Sequence, residues 1–296
     1  MTYAPIVIFA FNRLDTLKKC VESLLDNEES KKSDLYVYVD GPRPQKDGEA
    51  EIVESIQRYA KNINGFRSLT CVFSDRHKGL APSIIDGVSQ VINQYDRVVV
   101  IEDDLIVSPN FLAYINEGLT KYQNDGEVFS ICGYSNKVVP PSDYPFDAYF
   151  CTRSCSWGWA TWKDRWNSVD WELKDWKNHK QNAHKFNTWG GSDCWKMLED
   201  WHHGRISSWA IRFGYAQFLQ NKLSLFPLES KVINNGLTGG THGKGWSRFK
   251  SDFDTSDIKS FRFPIRIELN KSLYKQALSY HSVFIRIWSR MMYILH

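Results

Sequence analysis

An α/β fold built on a mainly parallel sheet is the class this sequence predicts, on three observations. Apolar or β-branched runs alternate with apolar residues at helical spacing as far as Ile131, the pattern of successive βαβ units. Val98-Val99-Val100-Ile101 shows no polar alternation, so it reads as a strand covered on both faces, as central parallel strands are. The strands end in polar or charged loops, and in this topology such loops gather along one edge of the sheet, where ligands bind.

Pro5 to Phe11 is the first strand, ending at Asn12-Arg13. Leu14, Leu17, Val21, Leu24 and Leu25 then recur at helical spacing, with Asp15 as the candidate cap. Leu35 to Val39 is the second strand, closed by the turn signal Asp40-Gly41-Pro42. A helix over Glu51 to Ile63 leads to a third strand, Leu69 to Phe73, and to the polar loop Ser74 to Leu80. The next helix, Ala81 to Tyr95, delivers the chain to Val98. That strand ends in Glu102-Asp103-Asp104, after which Ser108-Pro109 supplies a cap and a first-turn proline for a helix from about Asn110.

Three adjacent carboxylates repel unless a cation or a donor network compensates them. In an extended chain Glu102 and Asp104 point one way and Asp103 the other, so two of them can share a target. With Ser108 available as the cap, the acids are not needed for the helix, and a divalent-cation site is favoured over a solvated loop entrance. The same edge carries Asn12, Arg13, Asp40, Asp75, Arg76 and Lys78. Basic groups suit phosphates, and acids suit a cation or ribose hydroxyls. Any one of these loops reads as an ordinary polar turn. Their recurrence after four strands points to a nucleoside diphosphate with a divalent ion. No Gly-x-x-x-x-Gly-Lys or Gly-x-Gly-x-x-Gly motif follows the first strand, which argues against P-loop and dinucleotide-binding chemistry. The first strand also lacks the terminal Asp of aspartyl-phosphate phosphatases.

Beyond Ile131 the composition changes. Ten of the twelve tryptophans fall between Trp157 and Trp209, so an aromatic core is expected there. One or two of these rings also suit the apolar C–H face of a sugar. A helix is predicted from Ile206 to about Gln220, and the glycine-rich stretch Leu237 to Gly243 holds His242, either a structural residue or a ligand of a metal or diphosphate.

In the 296 residues, 24% are charged and 42% hydrophobic, as in an ordinary globular protein. Ten Lys/Arg against four Asp/Glu lie in residues 241–296, so the net +3 charge is a property of the tail and no nucleic-acid partner is expected. Leu273 to Leu295 mixes aromatic, apolar and basic residues; it reads equally as a membrane-surface helix and as a terminal helix docked on the body. The six cysteines show no metal or redox spacing, and the start shows no signal peptide. A cytoplasmic setting is expected, peripheral to the inner face of the membrane if the tail binds lipid. No apolar run approaches the roughly 18 residues that span a bilayer.

Phe9-Ala10-Phe11-Asn12-Arg13, Val39-Asp40, Lys78-Gly79-Leu80, Glu102-Asp103-Asp104, Trp157-Gly158-Trp159 and Thr241-His242, in this order and spacing, resemble nucleotide-sugar glycosyltransferases of the GT-A fold. The chain looks most like bacterial family 2-like sugar transferases and is more distantly similar to the N-acetylglucosaminyltransferase I group, over about residues 4–245. The resemblance implies one GT-A domain, with residues 1–135 binding the donor and 136–250 facing the acceptor, before a basic extension over 251–296. It implies inverting transfer of a hexosyl or N-acetylhexosaminyl group to a glycan or lipid-linked saccharide of the cell envelope. Carried over residue by residue, Asp104 binds Mn2+ or Mg2+, with His242 as a second candidate ligand. Glu102 and Asp103 meet the sugar, ribose or metal-bound water. Asp40 meets the base, and Phe11, Asn12, Arg13, Asp75, Lys78 and Gly79 lie near the base or phosphates. Trp157, Trp159 and Trp209 face the acceptor.

Inversion needs a base for the acceptor hydroxyl. In the resembled group it is an acid beside a tryptophan at the start of a late helix; here that place reads Trp209-Ala210. Asp193, Glu199 and Asp200 lie upstream, Asp200 being the favoured substitute, and Arg212 is placed to orient acceptor or diphosphate. Ala210 also suits a catalytically inactive nucleotide- or glycan-binding module. A sugar-phosphate nucleotidyltransferase would need a glycine-rich basic loop where Phe11-Asn12-Arg13 stands.

Overall fold

β1 (Ile6–Ala10) is buried along its whole length, because β2 (Asp34–Val39) and β4 (Arg97–Glu102) pair with it in parallel on either side. In this computed structural model, which describes residues 3–235, 249 and 251–295, the strand's period of two divides its side chains between two cores. Ile6, Ile8 and Ala10 join Leu17 and Val21 of α1 (Leu14–Leu25) and Val53 and Ile56 of α2 (Glu49–Lys61). Val7 and Phe9 face the other way, onto Ile84 and Val88 of α3 (Leu80–Tyr95). β3 (Ser68–Phe73) extends the parallel set beyond β2. These elements start and end within about two residues of where periodicity puts them.

The sheet continues past β4 with four strands, of which periodicity reached only the run ending at Ile131. β6 (Val128–Cys132), β7 (Ala148–Cys151), β8 (Trp159–Trp162) and β9 (Leu223–Pro227) complete eight strands in the order β3-β2-β1-β4-β8-β6-β9-β7. β8 is antiparallel to both of its neighbours, β6 and β9 are parallel, and β7 is antiparallel to β9. One sheet therefore joins the two halves of the chain. β5 (Leu105–Val107) and β10 (Val232–Asn234) form a separate antiparallel ribbon.

Three local expectations are corrected. Arg13, not Asp15, holds the N-cap position of α1. Ser108 does not cap α4 (Phe111–Lys121): Asn110 holds the N-cap position, and the Ser108 hydroxyl donates to the Asn110 side chain at 2.8 Å. The helix predicted from Ile206 begins four residues later, at Ala210, as α9 (Ala210–Leu219).

Between β8 and β9 the chain also forms α5 (Lys163–Asn167), α6 (Trp176–His179), α7 (Ala183–Gly190) and α8 (Cys194–His202). Trp159, fully buried, lies against Trp209 at 4.8 Å, Phe213 at 5.2 Å and Trp166 at 5.8 Å, an aromatic stack beneath α9.

The basic C-terminal region is largely part of the body. Phe261 and Phe263 enter the core shared with β1 and pack on Tyr114. Asp254 forms a buried ion pair with Lys231 and accepts from Asn110 at 2.9 Å. The segment read as one helix from Leu273 to Leu295 is two. α10 (Lys271–Ser279), capped by the Asn270 side chain, buries Leu273 and Ala277 beside β7, and α11 (Val283–Leu295) follows. All six cysteines are free, and no described helix is long and apolar enough to cross a membrane.

Candidate active site

The carboxyl ends of β1, β2, β3 and β4 open into a cleft of about 320 Å³, lined by Phe11, Arg13, Asp40, His77, Lys78 and Glu102 among others. Its floor is set by Asp40. One oxygen of this buried carboxylate accepts from the amides of Gly41 (2.9 Å) and Lys78 (2.8 Å); the other accepts from the amide of Gly79 (2.9 Å) and lies 2.8 Å from His77 Nδ1. Both glycines are structural. A Cβ on Gly41 would sit 2.5 Å from the Arg76 backbone, and Gly79 takes φ +84°, where side chains are strained. Asp40 therefore holds the 77–79 loop against the sheet, and its acceptor capacity is used inside the protein.

The remaining predicted donor contacts divide. The Phe11 ring lies on the cleft wall, 4.7 Å from His77 and 5.3 Å from the Arg43 guanidinium. Asn12 donates to Glu49 at 3.0 Å, and Arg43 pairs with the same carboxylate, which holds the loop after β1 onto α2. Lys78 is exposed, its ammonium 3.7 Å from Asp86. Asp75 is exposed and is not among the residues that line the cleft.

The acid triplet departs from the extended geometry. β4 ends at Glu102, and the chain turns at Asp103-Asp104, so these two acids share one target instead of Glu102 and Asp104. That target is Arg13, whose guanidinium bonds to Asp103 and, at 2.9 Å, to Asp104 Oδ2. Arg13 thus sits on the acids instead of pointing at a phosphate site. Asp104 Oδ1 is buried with no hydrogen-bond partner. Burial, added to the charges of Asp104 and Asp103, pushes the Glu102 carboxyl up to about 8. Burial raises Asp103 to about 6, against the Arg13 charge, which pulls it down. Burial is the larger cause of both shifts; beside it, Asp103 and Asp104 share the single Arg13 guanidinium, and their charges raise Glu102 further. A divalent cation fits this donor set. Among the described residues no three His, Cys, Asp or Glu side chains converge as a ready-made cage.

A second cleft of about 260 Å³ opens beside β7, walled by α7, α9 and α10. Tyr134, Trp157, Trp189 and Phe249 give it aromatic walls, with Asn136 and Arg153 among its polar groups. Trp157 is partly exposed, edge-on to Tyr134 (4.7 Å) and Phe249 (5.4 Å). Trp189 Nε1 is buried and unpartnered. Arg153 is oriented by Asp193 (2.9 Å) and by the Gly190 carbonyl (2.6 Å). Ala210 lines this cleft, and no Asp or Glu does among the described residues.

Several expected residues lie elsewhere. Trp159 and Trp209 are 0% and 3% exposed in the aromatic core, so neither presents a face to a sugar. Asp200 and Glu199 line neither cleft, and Asp200 accepts from Lys196 (2.7 Å) and Arg205 (2.6 Å), which hold its carboxyl below the usual range. A carboxylate so neutralised, outside the lining of both clefts, is not placed to take an acceptor proton. Arg212 is buried, donates to the carbonyls of Ser208 (3.0 Å) and Trp171 (2.7 Å) and stacks over Trp201, so it braces the aromatic region instead of orienting a substrate. His242 lies outside the described residues. The sequence reading missed Arg153, Asn136 and Trp189. Arg153 stands immediately before the Ser154–Trp162 stretch that drew attention, but its partner Asp193 is 40 residues away.

The sequence profile described as glycosyl transferase family 2 matches residues 6–200, well over half of the chain. No curated protein matches significantly. Among solved structures, the mannosyltransferase PcManGT from Pyrobaculum calidifontis, in complex with GDP-Man and Mn2+, is 15% identical, with a TM-score of 0.36 over 55% of this chain and 46% of its own. TarS from S. aureus is 14% identical, with a TM-score of 0.31 over 49% of this chain and 23% of its own. The chain thus spans less than half the length of either.

Proposed function

The chain belongs to glycosyl transferase family 2, and from that premise we propose that it transfers a hexosyl or N-acetylhexosaminyl group, with inversion, from a nucleoside-diphosphate donor to a saccharide acceptor, assisted by Mn2+ or Mg2+. One observation carries the metal-dependent reading: Asp104 Oδ1 is buried without a partner inside an under-compensated acid cluster at the end of the central strand. Bound there, the cation would offset the charge growing on the departing diphosphate, the electrostatic contribution that usually dominates such transfers. Asp104 would hold it, the diphosphate oxygens and water supplying the rest of the shell, as is common for Mg2+ at nucleotide sites.

The chain's own groups divide the remaining work. Asp40 keeps the 77–79 loop in place, so the exposed Lys78 ammonium stands over the cleft as a point charge for phosphate. Phe11 offers an apolar wall for the base. On the acceptor side, Trp157 is the ring placed for a sugar face, with Asn136 and Arg153 as hydrogen-bonding groups. The proposed acceptor is a glycan or lipid-linked saccharide of the cell envelope.

Thermal unfolding with UDP-, GDP- and dTDP-sugars, each with Mn2+, with Mg2+ or with chelator, tests this reading, since a ligand at 100 times its Kd stabilises by roughly 2.7 kcal/mol. One donor should stabilise in a metal-dependent way, and Asp104→Asn should remove the metal-dependent part. Undiminished metal-dependent stabilisation or turnover in Asp104→Asn would refute the assignment. The anomeric configuration of the product, read by NMR, tests inversion. A second reading, a binding module without turnover, is favoured by the absence of any Asp or Glu from the described lining of the second cleft. Donor binding with neither transfer nor hydrolysis would establish it.

A further inference from the structure

The apolar face of α11 points away from the protein. Val283, Phe284, Ile287, Trp288 and Met291 are 57%, 72%, 54%, 45% and 50% exposed. At about 100° per residue they share one arc of roughly 140°. The opposite side carries Ile285, Arg286 and Ser289, all partly buried, with Arg286 donating to the Ser192 hydroxyl at 3.3 Å. A surface helix normally turns its apolar stripe to the core and its polar face to water. Here the order is reversed, although α10, one turn of chain earlier, buries Leu273 and Ala277 in the ordinary way. Contiguous exposed apolar surface of this kind marks an interaction site.

The charge of the segment that carries the face selects the partner. Residues 269–296 carry Lys271, Lys275, Arg286 and Arg290 and no Asp or Glu. Lys271 and Lys275 are exposed. An aromatic, aliphatic face on an acid-free basic segment suits an anionic lipid surface, where the rings enter the headgroup–acyl boundary and exposed lysines such as Lys271 and Lys275 meet lipid phosphates.

We propose that α11 lies on the surface of an anionic bilayer with Phe284, Ile287, Trp288 and Met291 inserted. Ala277, Leu278 and His281, just before α11, wall the second cleft. Docking through α11 therefore sets that cleft beside the lipid surface. This deepens the proposed function, on which it rests for its consequence: the acceptor is a saccharide carried on a membrane-embedded lipid.

Flotation with vesicles of phosphatidylglycerol and phosphatidylcholine in equal parts, and of phosphatidylcholine alone, tests the docking without donor or cation, so its failure is separable from failure of the transfer reading. The wild-type protein should float with the anionic vesicles, less so as salt is raised. Phe284→Glu with Trp288→Glu should lower the partition by about tenfold or more, given the transfer free energy of a buried aromatic side chain. Phe284→Ser with Ile287→Ser, a milder change at exposed positions, should do the same with an unaltered melting temperature. Wild-type protein that does not float, or variants that float equally well, would overturn the proposal. So would a wild-type dimer that these variants convert to monomer, because a second copy of the chain would then be what covers the face.

Discussion

Asp40→Asn changes one atom in a carboxylate that accepts from three backbone amides and contacts His77. An amide keeps one acceptor oxygen and offers an NH2 in place of the other. If that oxygen takes the Oδ1 position, the amides of Gly41 and Lys78 keep an acceptor, and the Gly79 amide faces a donor. The opposite orientation strands two amides and is worse. The smallest loss is thus one hydrogen bond to a charged acceptor in a buried site, about 1.5–3 kcal/mol. That energy holds the 77–79 loop in its cleft-lining conformation, so the loop-closed population should fall roughly tenfold to hundredfold relative to open forms. Urea unfolding should show a lower midpoint at an unchanged slope. Calorimetric titration with the donor that stabilises the wild type should show weaker binding. Wild-type values in both assays would refute the assignment of Asp40 as the clamp of this loop. Weaker donor binding at unaltered stability would point instead to direct contact between Asp40 and the base.

Two further outcomes test the packing. Trp159→Ala removes a fully buried ring stacked against Trp166 and Trp209, and should cost about 3–5 kcal/mol in urea unfolding; a cost below about 1 kcal/mol would mean the neighbouring rings refill the space. Burial pushes the Asp254 carboxyl up, but hydrogen bonds from Lys231, Asn110 and Ser256 outweigh it and hold the group at about 2. A depressed folded value stabilises above the unfolded carboxylate range, near 3.9, and that contribution is lost as pH falls from there through 2. The slope of stability between about pH 4 and pH 2 should carry roughly 2 kcal/mol from this group, and an unchanged slope in Asp254→Asn would refute it.

Local pattern accounts for much of the first half. Leu14 to Leu25 repeats at helical spacing and Val98 to Ile101 has no polar break, so each element follows from its own residues. Glu102-Asp103-Asp104 was legible as a charge problem for the same reason. Beyond Ile131 the signal weakens. Trp159-Ala160-Thr161-Trp162 is a central strand only because β4 and β6 flank it, and nothing within four residues announces that insertion.

The amino-acid order alone determined the alternation of strands and helices, the edge at which polar loops gather, and the excess of acid after the central strand, since all three depend on neighbours in the chain. Tertiary structure decided which tryptophans are core and which line a cleft, that Arg13 lies on Asp103 and Asp104, that Asp40 is spent on a loop, and that α11 turns its apolar side outward. Each of those outcomes joins or separates residues far apart in sequence. Periodicity within one segment carries no information about the partner that another segment brings to it.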